Sequence, residues 1–143
     1  MAAIRKATAH WEGSLFEGAG QVTLDSSGLG TFDVTWVART EEPGGKTSPE
    51  ELIAAAHSSC FCMAFSNGLD KAGTPPTSLD VRADVTFVPG TGITTSHLTV
   101  TAVVPGISEE EFQAAAAAAK EGCPVSGALK GNVEITIEAS LAG

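Results

Sequence analysis

The sequence predicts an α+β fold, with mainly antiparallel sheets around two helices, the first of them long and central. Three observations carry this expectation. Ser48-Pro49-Glu50-Glu51 is a capping box with Pro at the first helical position, and it opens an apolar run with no breaker before Gly68. Residues 79–87 and 133–141 alternate apolar and polar side chains with the period of a half-buried strand. Ser108 with Glu111 forms a second capping box, which opens an alanine-rich helix through Lys120.

The remaining elements follow from local chemistry. Residues 4–11 and 14–24 read as a hairpin turning at Glu12-Gly13, and residues 25–30 as a second turn cluster. Residues 31–38, rich in β-branched and aromatic side chains, predict a third strand, followed by a polar loop over 39–47. The first helix continues toward Ala72, where Gly73, Pro75 and Pro76 stop it. At ~1.5 Å per residue it is about 35 Å long. Leu52, Ile53, Ala56, Phe61, Met63, Ala64 and Phe65 make it apolar on most faces. One small sheet covers one face only, so a second chain is expected to cover the rest. After a strand over 79–87, Pro89 to Gly92 form a turn and residues 93–104 a strand with Leu98, Val100, Ala102 and Val104 on one face. Cys123-Pro124 starts a short helical turn, and residues 133–141 close the chain as a strand. No Pro- or Ser-rich linker divides the chain, so residues 1–143 read as a single domain.

Composition narrows the function classes. With 43% hydrophobic and 17% charged residues the chain can build a core and carries no signature of disorder. A formal net charge of −9 disfavours nucleic acid and anionic membrane surfaces, which require basic patches. No uninterrupted run approaches the ~18 apolar residues of a membrane span, and no apolar signal core follows Arg5 and Lys6. The expected location is the cytoplasm, where three cysteines read as reduced thiols.

Two of those thiols suit one job. Cys60 lies inside the apolar helix, and Cys123 at a loop–helix junction in Gly122-Cys123-Pro124-Val125-Ser126. A peroxide-reducing dithiol uses one thiolate to attack the oxidant and a second to resolve the sulfenic acid as a disulfide. Inert core thiols are the competing reading, because free Cys is among the most often buried residues. Cys60 needs a nearby cation to react, and Cys123 gains from a helix N-terminus. Cys62, about 200° round the helix from Cys60, reads as a core thiol. His57 stands one turn before Cys60, either as its base or as a packed histidine. His10 and His97 have no ligand spacing around them, so no metal site is expected. Glu50 and Glu51 are acids where a helix N-terminus favours them, and Lys6, Lys71 and Lys120 read as solvated charges.

The run from Thr47 through Pro49-Glu50-Glu51-Leu52 to His57-Ser58-Ser59-Cys60-Phe61-Cys62-Met63-Ala64 resembles the signature of the OsmC/Ohr family. Gly122-Cys123-Pro124-Val125-Ser126, followed by Ala128-Leu129-Lys130, is similar to that family's second cysteine motif. Ala9-His10-Trp11-Glu12-Gly13 and Pro105-Gly106-Ile107 also fit, so the resemblance spans nearly the whole chain. Gly18-Ala19-Gly20 lacks the arginine of the Ohr branch, whereas Arg39 matches the OsmC branch. Cys62 departs from the usual serine.

The resemblance implies an OsmC-like intertwined homodimer and a thiol-dependent reductase of organic hydroperoxides and hydrogen peroxide, in oxidative and osmotic stress defence. In it Cys60 is peroxidatic and Cys123 resolving, Arg39 holds the thiolate, and Glu50 orients Arg39. Reduction falls to dithiols, with lipoylated proteins the physiological donors it points to, and no metal, flavin or other cofactor is needed. Glu50 and Cys60 lie ten residues, or about 15 Å, apart along one helix. If both serve one site, Glu50 comes from the partner subunit. Two readings of other classes stand beside this one: a non-catalytic dimer that binds apolar small molecules, and a redox sensor.

Overall fold

The computed structural model describes residues 1–142. In chain order they form β1 (Thr8–Glu12), β2 (Ala19–Thr23), β3 (Thr31–Val34), α1 (Trp36–Thr40), α2 (Pro49–Lys71), β4 (Ser78–Val88), β5 (Gly92–Val103), α3 (Glu109–Gly122), α4 (Pro124–Leu129) and β6 (Glu134–Leu141). The chain divides into two compact units, Met1–Leu52 and Ile53–Gly143.

In the first unit β1, β2 and β3 form an antiparallel meander. Trp11 of β1 stands opposite Gly20 of β2. A Cβ on Gly20 would meet the Trp11 ring at 2.7 Å and the His10 carbonyl at 2.4 Å, so glycine is what lets the indole cross the strand there. The third strand ends at Val34, short of the expected 31–38, and 36–40 is helix α1 where strand and loop were expected. The Thr35 hydroxyl accepts the Ala38 N–H at 3.1 Å, and this N-cap redirects a segment whose aromatic and β-branched residues favour extension. The second strand also begins late, at Ala19. The Gly18 N–H bonds the Ser14 carbonyl at 2.8 Å and holds the preceding residues in a turn.

In the second unit β4 pairs antiparallel with β5, and β5 pairs parallel with β6. The parallel pair departs from the mainly antiparallel expectation. Its cause is the connection: the chain leaves β5 and returns through α3 and α4, a crossover that brings β6 in along the same direction. The core joins Phe61, Phe65 and Leu69 of α2, Leu98, Val100 and Ala102 of β5, and Phe112, Ala116 and Ala119 of α3. Phe65 is its hub, with ring centroids 5.4 Å from Phe61 and 5.6 Å from Phe112. Each fully buried phenylalanine contributes about 1.5–3 kcal/mol by transfer from water.

Half of the capping box expected for α2 forms, and the Glu51 carboxylate accepts from the Thr47 hydroxyl. The Ser48 hydroxyl accepts the Glu51 N–H at 3.1 Å. At its other end Gly73, at φ 88°, takes the left-handed turn that lets Thr74 N–H reach the Leu69 carbonyl at 3.0 Å. By length and composition alone α2 could cross a membrane. Phe61, Phe65 and Leu69 are instead fully enclosed by the core of the second unit, while Ala55, Ala56, Ser59 and Met63 stand exposed.

Candidate active site

The first unit builds a forked ion pair. Arg39 ends the short helix α1, and Glu50 lies in the first turn of α2. Arg39 Nε donates to Glu50 Oε1 at 3.0 Å and Oε2 at 3.2 Å, and Nη2 donates to Oε2 at 2.8 Å. The Glu50 side chain is 8% exposed and that of Arg39 27%. A two-point fork of this kind fixes the plane of the guanidinium as well as its position. The Arg39 Cζ also lies 5.9 Å from the centre of the Trp36 ring, within range of a cation–π contact. Beside the pair is a cavity of about 490 Å³, lined by Trp11, Leu15, Val22, Trp36 and Leu52, with Arg39 contributing charge.

The second unit brings two sulfurs together. Cys60 of α2 and Cys123, at the start of α4, lie close enough for each thiol to shift the ionisation of the other. Cys123 is the N-cap of α4, and its side chain makes no capping hydrogen bond. The Val125 and Ser126 N–H groups, at the start of α4, favour its thiolate as helix N-terminal donors do. Burial pushes the Cys60 thiol up, and the neighbouring Cys123 adds to this against the Val125 N–H. Burial also opposes ionisation of Cys123, but the Ser126 N–H, the Cys60 thiol, the Ser126 hydroxyl and the Val125 N–H outweigh it and lower its pKa. The second unit by itself therefore leaves the proton on Cys60. Cys62 is half-buried, and burial, with the Asp80 charge, pushes its thiol up, so it has the environment of an unreactive thiol.

His57 is fully buried and is held at both ring nitrogens. Nδ1 lies 2.7 Å from Ser96 Oγ on β5, and Nε2 lies 2.8 Å from Ser126 Oγ on α4. Burial lowers its pKa and keeps the ring neutral. Of the two readings of His57, the packed histidine describes it; its nitrogens bond serines rather than the Cys60 sulfur. Ser96 and Ser126 escaped the sequence reading. They lie 39 and 69 positions from His57, and no local pattern marks a serine as a partner at such range. His97 bonds Thr136 at 2.6 Å, and His10 is exposed beside Glu12.

The sequence model of the OsmC-like protein family matches residues 42–138, which contain Glu50 and both site cysteines. The chain is 43% identical over 140 residues to peroxiredoxin OsmC of Escherichia coli strain K12, covering 96% of each chain. It is 30% identical over 122 residues to the organic hydroperoxide resistance protein OhrB of Bacillus subtilis, covering 84% of this chain and 88% of that one. The crystal structure of the same OhrB superposes with a TM-score of 0.74 at 25% identity, over 96% of this chain and 98% of that one. The crystal structure of an organic hydroperoxide resistance protein OsmC from Legionella pneumophila superposes with a TM-score of 0.70 at 26% identity, over 97% of this chain and 99% of that one. On the matched motifs, the shared architecture and this extent of identity, the chain belongs to the OsmC-like protein family.

Proposed function

We propose that this chain is a thiol-dependent hydroperoxide reductase that cycles between a Cys60–Cys123 dithiol and disulfide. The observation that carries the reading is the meeting of the two thiols across the start of α4. In the first step the Cys60 thiolate attacks the terminal oxygen of the hydroperoxide. The O–O bond breaks, the other oxygen leaves as an alcohol after taking up a proton, and Cys60 becomes a sulfenic acid. Cys123 then attacks the Cys60 sulfur, the S–O bond breaks and water leaves. A dithiol reductant, with lipoylated proteins as the donor class, restores both thiols.

Cys60 needs a cation to lose its proton, because burial holds it in the neutral form. Arg39 supplies that charge in this reading, and Glu50 sets the plane in which its donors meet the thiolate and the developing alkoxide. In this reading Glu50 and Cys60, ten residues apart on one helix, serve one site only if the pair comes from a second copy of the chain, which supports a homodimer with two equivalent sites. The exposed face of α2 around Met63 supports a covering partner. The apolar cavity beside Arg39 favours organic hydroperoxides, since hydrogen peroxide has no apolar part to fill it.

The test is mass spectrometry of the reduced protein after one equivalent of cumene hydroperoxide, alongside turnover with dihydrolipoamide. A Cys60–Cys123 crosslink and loss of turnover in Cys60→Ser are expected. Full turnover in Cys60→Ser would overturn the reading.

A further inference from the structure

We propose that His57 is a positioning residue for Cys123: with its proton on Nε2 it turns the Ser126 hydroxyl toward the Cys123 sulfur and readies that sulfur for the resolving step. The chemical half of this proposal rests on the hydroperoxide-reductase reading; the positioning half does not.

The tautomer follows from the bonding of two buried hydroxyls. His57 and Ser96 are 0% exposed, Cys123 1% and Ser126 3%. A neutral imidazole has one donor and one acceptor nitrogen. Among the described residues, the partner of the Ser96 hydroxyl is His57 Nδ1, at 2.7 Å. Were Nδ1 protonated, the Ser96 O–H would be buried without an acceptor, at the cost of desolvating it. The Ser126 hydroxyl, three residues after Cys123, has that sulfur as a second acceptor, whereas Ser96 has none among the described residues, so Nδ1 accepts from Ser96 and Nε2 donates to Ser126 Oγ across 2.8 Å. The Ser126 proton is then free to point away from the ring. Ser126 lies three residues after the N-cap Cys123, the position whose side chain reaches back to the cap in a capping box. The Ser126 hydroxyl is among the groups that lower the pKa of Cys123. The chain of donors runs Ser96 to His57 to Ser126 to Cys123 and ends on the sulfur.

The groups that act on this sulfur are few. From α2 come the Cys60 thiol and, behind Ser126, the His57 ring; from α4 come the Ser126 hydroxyl with the Val125 and Ser126 N–H. From α3, Lys120 donates to the Ile135 carbonyl at 3.4 Å and Glu121 is exposed. β5 supplies Ser96 on the far side of the ring. A donor fixed on the sulfur favours its thiolate.

In the resolving step Cys123 has already given up its proton, and the sulfenic oxygen of Cys60 takes up a proton from solvent as it leaves. The Cys123 electron pair forms the S–S bond, the S–O bond breaks and water departs, so Cys123 is oxidised as the sulfenic sulfur is reduced. The Ser126 hydroxyl holds the incoming sulfur in its ionised form until the bond closes. His57 takes part only through Ser126 and never meets the substrate.

The titration of Cys123 decides the matter. It is followed by thiolate absorbance at 240 nm in protein carrying Cys60→Ser and Cys62→Ser, which leaves one thiol. Adding Ser126→Ala should raise the midpoint by about one pH unit, a tenfold loss of thiolate below it. Adding His57→Leu should raise it similarly, and Ser126→Thr should restore it. In protein with all its cysteines, Ser126→Ala should leave the rate of sulfenic acid formation at Cys60 unchanged and slow disulfide closure about tenfold. An unmoved midpoint in folded Ser126→Ala protein would overturn the positioning role. Should Cys60 form no sulfenic acid with cumene hydroperoxide, the hydroperoxide-reductase reading falls, and the titration still decides what His57 and Ser126 do to Cys123.

Discussion

Glu50→Gln isolates the orientation of Arg39 from its charge. The substitution keeps shape and volume and leaves the guanidinium in place. In the native pair Oε2 accepts from both Nε and Nη2, and Oε1 accepts a second contact from Nε at 3.0 Å. A glutamine oxygen at the Oε2 position puts its NH2 group where Oε1 stood, donor against donor. The fork loses one contact outright, and the others lose the carboxylate charge. A hydrogen bond to a charged group is worth about 1.5–3 kcal/mol. Because Arg39 is 27% exposed, water takes over part of the lost interaction and the lower half of that range applies. At about 1.4 kcal/mol per factor of ten, the fall in kcat/KM is roughly ten- to fortyfold. The assay is steady-state reduction of cumene hydroperoxide with dihydrolipoamide, with thermal unfolding to show that the variant is folded. A kcat/KM indistinguishable from that of the native protein would refute the idea that this ion pair organises the site.

Two further outcomes follow from the thiol and imidazole environments. Cys62→Ser should retain most of the turnover, because burial and the Asp80 charge already disfavour its thiolate; loss of the Cys60–Cys123 crosslink in this variant would contradict its passive role. Stability should fall between pH 7 and 5 through His57. The unfolded imidazole binds a proton below its ordinary 6.5, the buried ring resists it, and the difference approaches about 1.4 kcal/mol per pH unit until the folded ring protonates. Urea unfolding at the two pH values should show a smaller loss in His57→Gln, and an equal loss in both proteins would sink this attribution.

Features written in adjacent residues were legible in the sequence, and those made by distant ones were not. The Ser48 cap and the Gly73 stop are local, and α2 runs almost where they put it. Propensity misread residues 36–40, since a single Thr35 hydroxyl outweighs the extended preference of Trp36 and Val37. The parallel placement of β6 depends on the path through α3 and α4, which no alternation within the strand encodes. Of the candidate site residues, Cys60 and Cys123 were legible from their local settings, whereas Arg39 and Glu50 came from motif resemblance; the structure pairs Arg39 with Glu50 and sets the two thiols near each other. Ser96 and Ser126 carry no such mark, because a serine's meaning here depends on which buried ring it meets.

The crossover between β5 and β6 carries a constraint for engineering. Cys123 follows α3 directly, so the length of that helix indexes the angle at which the thiol emerges. One residue added or removed within α3 would swing the sulfur by about 100° and advance it by about 1.5 Å. Insertions belong instead in the polar stretch 41–46, whose residues are exposed and end no element that bears a sulfur.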